Sequence, residues 1–274
     1  MSFFKKLFSS SKKPVVQSAP PVTQPEVPDD LPDWSEIEAA HDAARVAGAE
    51  CLDRHWRSVG AVEQDVLSYM ISPSFSGGPD WPSTRQAYRV VRRSDSIILA
   101  TEGLSDPFDG TDDMSNGFEM ELFIETADIP EHAKGAVGDV DPFKRSWAFE
   151  LLETLAKTVA NAGGITHSLD QHGVLSVDVP GFSQSHHING QLPALFVTDD
   201  DCVGVLLGGP QPDFQTRLDD MPLSPVRLVP VVLITAAELA YVRSGGRAAR
   251  EDLVSRLNAA GIGHLSSLQR ASVV

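Results

Sequence analysis

The stretch FEMELFIET, residues 118–126, decides the class of fold to which this sequence belongs. Phe118, Met120, Leu122 and Ile124 alternate with mostly polar residues, and a hydrophobic period of two is typical of a β-strand with one buried face. We therefore predict a half-buried strand here, and we expect the segments on either side of it to supply the rest of a sheet.

Other segments also have β character, because they are short, apolar and bounded by turn-forming residues. They are residues 85–92, 96–101, 174–179, 192–197, 203–207 and 226–234. The first two are separated by three residues, a connection of hairpin length. Residues 226–234 (VRLVPVVLI) predict a long buried strand, and the missing backbone N–H of Pro230 predicts that this strand lies at a sheet edge or contains a bulge.

Helical periodicity marks most of the remaining apolar segments. The predicted helices cover residues 35–56, 62–70, 142–162, 236–243 and 247–260. Ser35 with Glu38, and Thr235 with Glu238, have the spacing of a capping box, which favours a helix start at each of these positions. Because helices and strands alternate irregularly, the sequence predicts an α+β fold with a mixed or mostly antiparallel sheet packed with helices.

The N-terminal part of the chain differs in composition from the rest. Residues 1–30 are basic and rich in proline, which predicts a disordered tail and linker. Residues 31–80 predict a helical extension, and residues 81–265 predict the main domain. Residues 1–13 contain apolar side chains and lysines, and they have two interpretations. In the first they make weak contact with an anionic membrane surface, and in the second they form a solvated terminus.

Charge excludes one class of partner and favours another. The chain has 22 lysines and arginines against 38 aspartates and glutamates, a formal net charge of −16. We expect no nucleic-acid binding, because phosphate contacts need a basic surface. A basic protein partner is favoured instead. The two cysteines, Cys51 and Cys202, imply no disulfide framework, and a reducing, cytoplasmic location is expected.

Acidic side chains are the candidate partner-binding residues. They are Glu102, Asp106, Asp109, Asp112, Asp113, Asp199, Asp200 and Asp201. The segment DPFDGTDD, residues 106–113, lacks the alternating ligands and the distal glutamate of a calcium loop. We interpret the eight carboxylates as a negative surface for the basic partner, and the alternative is an ordinary solvated face.

No pattern of catalytic residues is present, so we predict that the protein is not an enzyme and uses no cofactor. GGPD, NAGGIT and LLGGP lack the lysine and the spacing of a phosphate-binding loop, and no G-x-S-x-G motif occurs. The alternative is a metal-dependent enzyme that uses the region between His167 and His187. Its candidate ligands are His167, Asp170, His172, Asp178, His186 and His187. Their spacing is not that of a helical zinc site, which favours exposed loop residues instead.

Five pieces of the sequence, taken in order, resemble the suppressor-of-fused domain in its bacterial form. They are SIILATEGLSD at 96–106, FEMELFIET, the helix with Trp147 and LLETLAK, residues 192–207 ending in CVGVLL, and VRLVPVVLITAAEL at 226–239. The resemblance covers roughly residues 81–257. It implies a compact α+β domain without a known catalytic centre. The eukaryotic relative is a cytoplasmic regulator that sequesters a transcription factor and holds a partner peptide as an added strand.

The same resemblance implies a function and a structural motif for this chain. Bacterial members are associated with toxin immunity, so we expect a non-enzymatic cytoplasmic protein-binding module, an immunity or regulatory factor that acts through an acidic surface. Gly103, Ser105 and Asp106 match the G-x-S-D turn, where glycine permits positive φ and the polar side chains bond the turn backbone. A membrane-associated scaffold that uses residues 1–13 is a further alternative.

Overall fold

A mixed β-sheet organises the part of the chain that this computed structural model describes, residues 34–71, 75 and 87–274. Its nine strands are β1 (Ala61–Val62), β2 (Leu67–Ser68), β3 (Ala87–Arg92), β4 (Ile97–Glu102), β5 (Met120–Thr126), β6 (Leu175–Pro180), β7 (Cys202–Leu207), β8 (Arg217–Leu218) and β9 (Val226–Ile234). In space their order is β1-β3-β4-β5-β9-β7-β6, with β2 beside β3 and β8 beside β9.

The strand directions confirm the predicted α+β class. β3 and β4 form an antiparallel hairpin, β4 pairs antiparallel with β5, and β5 pairs parallel with β9. On the other side of β9, the strands β7 and β6 continue the sheet in antiparallel fashion. A parallel pair needs a long crossover connection. The crossover from β5 to β9 contains three helices, which explains the irregular order of elements along the chain.

Helices cover both faces of the sheet. They are α1 (Trp34–Val59), α2 (Trp147–Asn161), α3 (Thr166–His172), α4 (Ile188–Gln191) and α5 (Ala236–Ala259). α1 is the predicted N-terminal helix, and its Trp56 packs edge-on against Phe123 of β5, with ring centroids 5.9 Å apart. α2 packs Leu155 on the opposite face. Leu228 under α1 and Val232 under α5 are four positions apart in β9. Because an even offset places two side chains on the same face of a strand, α1 and α5 share one face of the sheet.

β5 is buried on both faces, whereas the sequence predicts only one buried face. All seven of its residues are buried, including Glu121 and Glu125, which the alternation assigns to the solvent side. Leu122 belongs to the apolar cluster under α2, and Phe123 belongs to the cluster under α1. The prediction was wrong because α1 covers the second face, and the alternation within β5 carries no information about that helix.

Three further predictions about strands and helices were wrong. Residues 192–197 form no strand, since Ala194–Phe196 make a 3-10 turn and Val197 forms an isolated bridge to Val203. Residues 62–70 form no helix, because the short strands β1 and β2 in this region bond to the free edge of β3. Pro230 lies in the middle of the sheet and not at its edge. β8 pairs with β9 only up to Arg227, and β7 begins to pair at Val231. Pro230 lies between these two partner strands, where no ladder hydrogen bond needs its missing N–H.

Helix boundaries agree with the predicted caps in part. The capping box of α5 is present, since Glu238 N donates to Thr235 Oγ1 at 3.2 Å and Thr235 N donates to Glu238 Oε2 at 2.8 Å. α5 bends at Gly246, with φ 57°, and so contains both helices predicted between residues 236 and 260. α2 starts at Trp147 instead of residue 142, because Ser146 caps it and a 3-10 turn precedes it. Ser35 lies inside α1, one residue after Trp34.

The C-terminal segment, residues 260–274, occupies a gap within the sheet. β5 and β9 pair only up to Phe123 and Pro230, and then they separate. Ser266 N donates to the carbonyl oxygen of Glu125 at 2.9 Å, and Ser266 Oγ accepts from Leu233 N at 3.0 Å. Ser266 is fully buried. This segment therefore satisfies backbone groups that the two diverging strands no longer satisfy for each other.

A substitution in β7 tests how tightly α5 packs on the sheet. A Cβ added to Gly204 would lie 2.9 Å from Leu239 Cδ2 and 3.0 Å from Ile234 Cγ1. We expect Gly204→Ala to lower the free energy of unfolding by about 1–3 kcal/mol, because overpacking displaces neighbouring side chains. Chemical denaturation measures the change. Gly190→Ala, where the added Cβ contacts nothing within 4 Å, is the matched control, and equal effects of the two variants would contradict the packing argument.

The structure describes only part of the chain over which the sequence predicts a tail, a helical extension and a main domain. Trp34–Val274 form one compact unit. The boundaries at residues 30, 80 and 265 stay predictions. The tail of residues 1–30, with its predicted membrane contact at residues 1–13, lies outside the described residues. Among the helices that the structure describes, none combines the length and the hydrophobicity required to span a bilayer.

Candidate functional site

The turn after β4 is built around a buried carboxylate, that of Glu121 in β5. Glu121 Oε1 accepts hydrogen bonds from Gly103 N at 2.9 Å, Ser105 N at 2.9 Å and Ser105 Oγ at 2.6 Å. Thr101 Oγ1 donates to the other carboxylate oxygen. Gly103 has φ 125°, a conformation that would strain a side chain. The Ser105 hydroxyl of the predicted turn motif therefore bonds to Glu121, whereas the sequence predicts a bond to the turn backbone.

Burial determines the acid–base behaviour of Glu121. Removal from water raises the pKa of Glu121 to about 7, against the opposing hydrogen bonds from Ser105 and Thr101. Thr101 Oγ1 also accepts from Leu122 N at 2.8 Å and lies 3.4 Å from the carbonyl oxygen of Leu122. When the carboxyl is protonated, the Thr101 hydroxyl thus has a second acceptor. Glu121 is 0% exposed, and its hydrogen bonds hold the turn.

The loop of residues 106–119 extends from this turn and is fixed at its far end. Asn116 is 1% exposed, and its N donates to Ser224 Oγ at 2.9 Å. Phe118 N donates to the carbonyl oxygen of Leu104 at 2.9 Å. Gly117 has φ 50°, and a Cβ there would lie 2.3 Å from a backbone oxygen of the same loop. Both ends of the loop are therefore anchored, and the side chains between them are presented from a fixed backbone.

Five of the predicted acidic residues lie in or beside this loop: Glu102, Asp106, Asp109, Asp112 and Asp113. Within the part of the chain that the structure describes, Glu102 and Asp109 are paired with arginines. Arg89 donates to Glu102 through Nε at 2.6 Å and through Nη2 at 2.8 Å, and Arg45 of α1 pairs with Asp109. Asp112 is exposed. The structure therefore brings together the first group of predicted partner-binding residues, with part of their charge already neutralised.

A cleft of about 450 Å³ lies between α1 and this end of β3 and β4, and we call it the α1 cleft. Leu52 and Met221, both largely buried, belong to its apolar lining. Its polar lining includes Arg45, Arg89 and Ser105. Because both arginines are engaged with carboxylates, the charges within the α1 cleft are largely balanced.

A second cleft, of about 520 Å³, lies between the loop and α3, and we call it the Phe108 cleft. Phe108 and Phe118 line it, with their rings in a T-shaped arrangement and their centroids 5.0 Å apart. Asp113, Glu119 and Asp170 also line it. Glu119 has φ 55°, which is uncommon for a residue with a side chain. The Phe108 cleft thus combines an aromatic wall with acidic side chains.

The remaining predicted acidic residues lie at the opposite end of the strands. Asp199, Asp200 and Asp201 precede β7, which pairs with the last residues of β9. Glu102, in contrast, lies beside the start of β5, which pairs with the first residues of β9. Arg243 of α5 pairs with Asp200 at 3.1 Å. The eight acidic residues therefore form two separate groups, and a partner-binding role stays a prediction for both.

The candidate metal ligands do not converge in the described part of the chain. They are distributed over α3, β6 and the segment before α4: His167, Asp170, His172, Asp178, His186 and His187. Asp170 pairs with Arg227 at 2.6 Å, and Asp178 pairs with Arg243 at 2.8 Å. Within residues 34–71, 75 and 87–274, no group of three or more His, Cys, Asp or Glu side chains is placed to hold a metal ion. The structure thus supplies no support for the metal-dependent alternative.

A buried polar network on the α1 and α5 face was not predicted from the sequence. Glu125 is 2% exposed and contacts His264 Nε2 at 2.7 Å, Arg93 Nη1 at 3.2 Å and Ser96 Oγ. Burial alone would raise the pKa of Glu125, but the hydrogen bonds with His264 and Ser96 hold this pKa below its ordinary value. Ser96 and His264 bind different oxygens of the same carboxylate, so the imidazole does not activate the hydroxyl as in a catalytic triad. Two glutamates within an otherwise apolar strand were the sequence signal for such buried networks.

Comparison with known proteins gives one informative result. A model of the family described as Suppressor of fused protein (SUFU) matches residues 86–271, more than half of the chain. No curated protein and no solved structure matches the chain. The matched range contains Glu121, the loop of residues 106–119 and the Phe108 cleft, and it begins after α1.

Proposed function

This chain belongs to the suppressor of fused family, and on that premise we propose that it is a non-enzymatic regulatory module that binds a protein partner in the cytoplasm. The family is one of regulatory binding proteins, which supports an interaction role over a catalytic one. We further propose that the partner is basic and that it docks on the acidic loop of residues 106–119. We also propose the form of this regulation: the protein binds a basic toxin and neutralises it, as expected for the bacterial form of the domain.

The anchored loop is the observation that supports this proposal most directly. Glu121 and Asn116 fix its two ends, while Asp112 and Asp113 are exposed between them. A loop whose backbone is already ordered loses little conformational entropy when a partner binds. The formal net charge of −16 adds a long-range attraction for a basic protein.

Neutralising two loop carboxylates, Asp112→Asn with Asp113→Asn, should weaken partner binding by roughly fivefold, because exposed charge pairs each contribute modestly. Full-length protein would be used to capture partners from extracts of its natural host, and mass spectrometry would identify them. Affinity for the purified partner would then be measured at about 50 mM and about 300 mM salt, where screening differs strongly. We expect weaker binding at high salt and a smaller salt effect in the double variant.

Asp199→Asn is the matched control, because Asp199 is also acidic but precedes β7 at the other end of the strands. It should leave the affinity within about twofold of wild type. Binding that is insensitive to salt, or an equal loss in the control, would argue against the acidic loop as the docking face. For the immunity role, the captured partner must be a toxin whose activity the protein suppresses.

A further inference from the structure

The Phe108 cleft has an aromatic wall that is accessible from outside. Phe108 is 36% exposed, although its ring packs against Phe118. Aromatic ring faces carry partial negative charge and attract cations, and planar cations also stack on them. An accessible phenylalanine in a cleft of about 520 Å³ therefore offers a surface for one side chain of a partner.

Among the described residues that line the cleft, three carry carboxylates and one, His167, carries an imidazole. Asp113, Glu119 and Asp170 line it, and none of the described lining residues is a lysine or an arginine. Arg227 approaches from outside the lining and neutralises Asp170 at 2.6 Å. The Asp113 carboxylate accepts a hydrogen bond from Ser115 Oγ at 3.0 Å, and the Asp113 carbonyl oxygen lies 3.1 Å from His41 Nε2. Two carboxylates thus remain beside the aromatic wall without a described cation.

The cleft is rigid on both sides. Thr166 Oγ1 of α3 donates to the carbonyl oxygen of Phe118 at 2.9 Å, which joins the helix to the loop. Gly164 allows close approach, since a Cβ there would lie 3.1 Å from the Phe118 ring. Glu119 N donates to the Asn116 carbonyl oxygen at 2.7 Å, and this bond holds Glu119 in its unusual backbone conformation. The cleft is therefore preformed, and little conformational entropy is lost in ordering it when a ligand binds.

An arginine of this protein already contacts an aromatic ring and a carboxylate at the same time. Arg93 lies over the ring of Phe214, 5.7 Å from its centroid, while its Nη2 donates to Asp213 at 2.7 Å. A guanidinium is planar, so it stacks on a ring and binds a carboxylate at its edge at the same time, whereas a lysine ammonium does only the second well.

We propose that the Phe108 cleft binds an arginine side chain of the partner protein, with the guanidinium stacked on Phe108 and paired with Asp113 and Glu119. This inference rests on the proposed function, because it identifies the contact that a basic partner makes at the acidic loop. It adds a chemical preference, for arginine over lysine, that net charge alone does not supply.

The test uses the full chain and small probes, so it does not need the partner. N-acetyl-arginine amide would be titrated while amide NMR shifts are followed, with N-acetyl-citrulline amide as the uncharged isostere and N-acetyl-lysine amide as the second cation. We expect saturable shifts at Gly117, Gly163 and Gly164 with arginine, in the millimolar range typical of a single side chain. Lysine should bind roughly three- to fivefold more weakly, and citrulline should give no saturation.

Two variants test separately the contributions of the aromatic ring and of the carboxylate to arginine binding. Phe108→Leu keeps an apolar side chain but removes the ring, and Glu119→Gln removes one charge. Each should weaken arginine binding about three- to fivefold, and Asp199→Asn should not change it. Equal responses to arginine and citrulline, shifts located elsewhere, or unchanged binding in both variants would overturn the proposal.

The outcomes also separate this inference from the proposed function. If a basic partner is captured through the acidic loop but the arginine probe does not bind in the Phe108 cleft, the proposed arginine site is wrong and the proposed docking face stands. If the probe binds as expected but no partner depends on Asp112 and Asp113, the cleft does bind arginine, but both the proposed docking face and the assignment of that arginine to the partner are wrong.

Discussion

Glu121→Ala is expected to lower the free energy of unfolding at pH 7 by roughly 3–5 kcal/mol. The substitution removes the acceptor of Gly103 N and Ser105 N, which lie in a buried turn. Each buried donor left without a partner costs about 1–3 kcal/mol. Chemical denaturation measures the loss. Hydrogen exchange at these two amides should also accelerate more than exchange in β9, because the damage begins at the turn.

Glu121→Gln separates the hydrogen bonds of this residue from its charge. The amide oxygen still accepts from Gly103 and Ser105, so we expect a smaller loss than with alanine. The pKa of Glu121 rises from its ordinary 4.5 to about 7 in the folded protein. The folded state therefore binds this proton more tightly than the unfolded state, so the group favours folding in acid, and the benefit disappears as the pH rises through about 7.

The stability of the glutamine variant relative to wild type should consequently increase with pH. Between about pH 4.5 and about pH 8 the difference should change by about 3 kcal/mol in favour of the variant, at about 1.4 kcal/mol for each unit of pKa shift. Glu131→Gln is the control, because Glu131 is exposed, and its effect should stay within about 0.5 kcal/mol. A glutamine effect that does not change with pH would contradict the buried, proton-binding role of Glu121.

The six longer strands of the sheet were predictable because their local patterns agree with the tertiary environment, whereas the two-residue strands β1, β2 and β8 were not predicted. Residues 226–234 predict the full extent of β9, since a continuous apolar run is typical of a strand buried on both faces. The capping box at Thr235 and Glu238 likewise predicts the start of α5. In both cases, the information lies within about ten neighbouring residues.

Features that depend on distant segments were not predictable from the same patterns. The alternation of residues 118–126 assigns Glu121 and Glu125 to solvent, yet both are buried. Their partners come from the turn after β4 and from His264 in the C-terminal segment. Pro230 is tolerated in a central strand only because two partner strands end on either side of it. No local pattern encodes where another segment ends.

In the candidate site, too, the features that depend on nearby residues were predictable from the sequence, and those that depend on distant segments were not. The acidic residues from Glu102 to Asp113 were found from composition, and the structure places them together beside one loop. Asp199 to Asp201 were grouped with them because of charge alone, yet the strand register separates the two groups. Phe108 was not selected, because a single phenylalanine in an acidic loop has no recognisable pattern until Phe118 and α3 are placed beside it.

The C-terminal segment is attached through a buried ion pair, and breaking this pair should have an effect as large as the loss of Glu121. Arg270 donates to the two carboxylate oxygens of Glu238 at 2.6 Å each and to the carbonyl oxygen of Leu233 at 3.1 Å. The two side chains are 5% and 0% exposed. Glu238 also accepts from Thr235 N and Val273 N. The pair therefore joins the start of α5, the end of β9 and the last residues of the chain.

Arg270→Met is expected to lower the free energy of unfolding by about 3–5 kcal/mol, because it leaves the Glu238 carboxylate buried without its cation. The double variant Glu238→Gln with Arg270→Met should recover part of this loss, since no buried charge remains. Arg247→Met is the control, because Arg247 pairs with Glu251 on the exposed surface of α5, and its effect should stay below about 1 kcal/mol.

Hydrogen exchange decides whether the Arg270 effect reflects release of the C-terminal segment from the sheet. Ser266 N bonds to the Glu125 carbonyl oxygen at 2.9 Å, and Leu268 N bonds to Asp128 Oδ2 at 2.6 Å. Both amides should lose protection in Arg270→Met, while amides in the β3–β4 hairpin keep theirs, because that hairpin lies on the far side of β5. A loss of protection that is uniform over the sheet would mean that the pair stabilises the whole fold and not specifically this segment. A loss of stability below about 1 kcal/mol would mean that the segment remains docked without the pair.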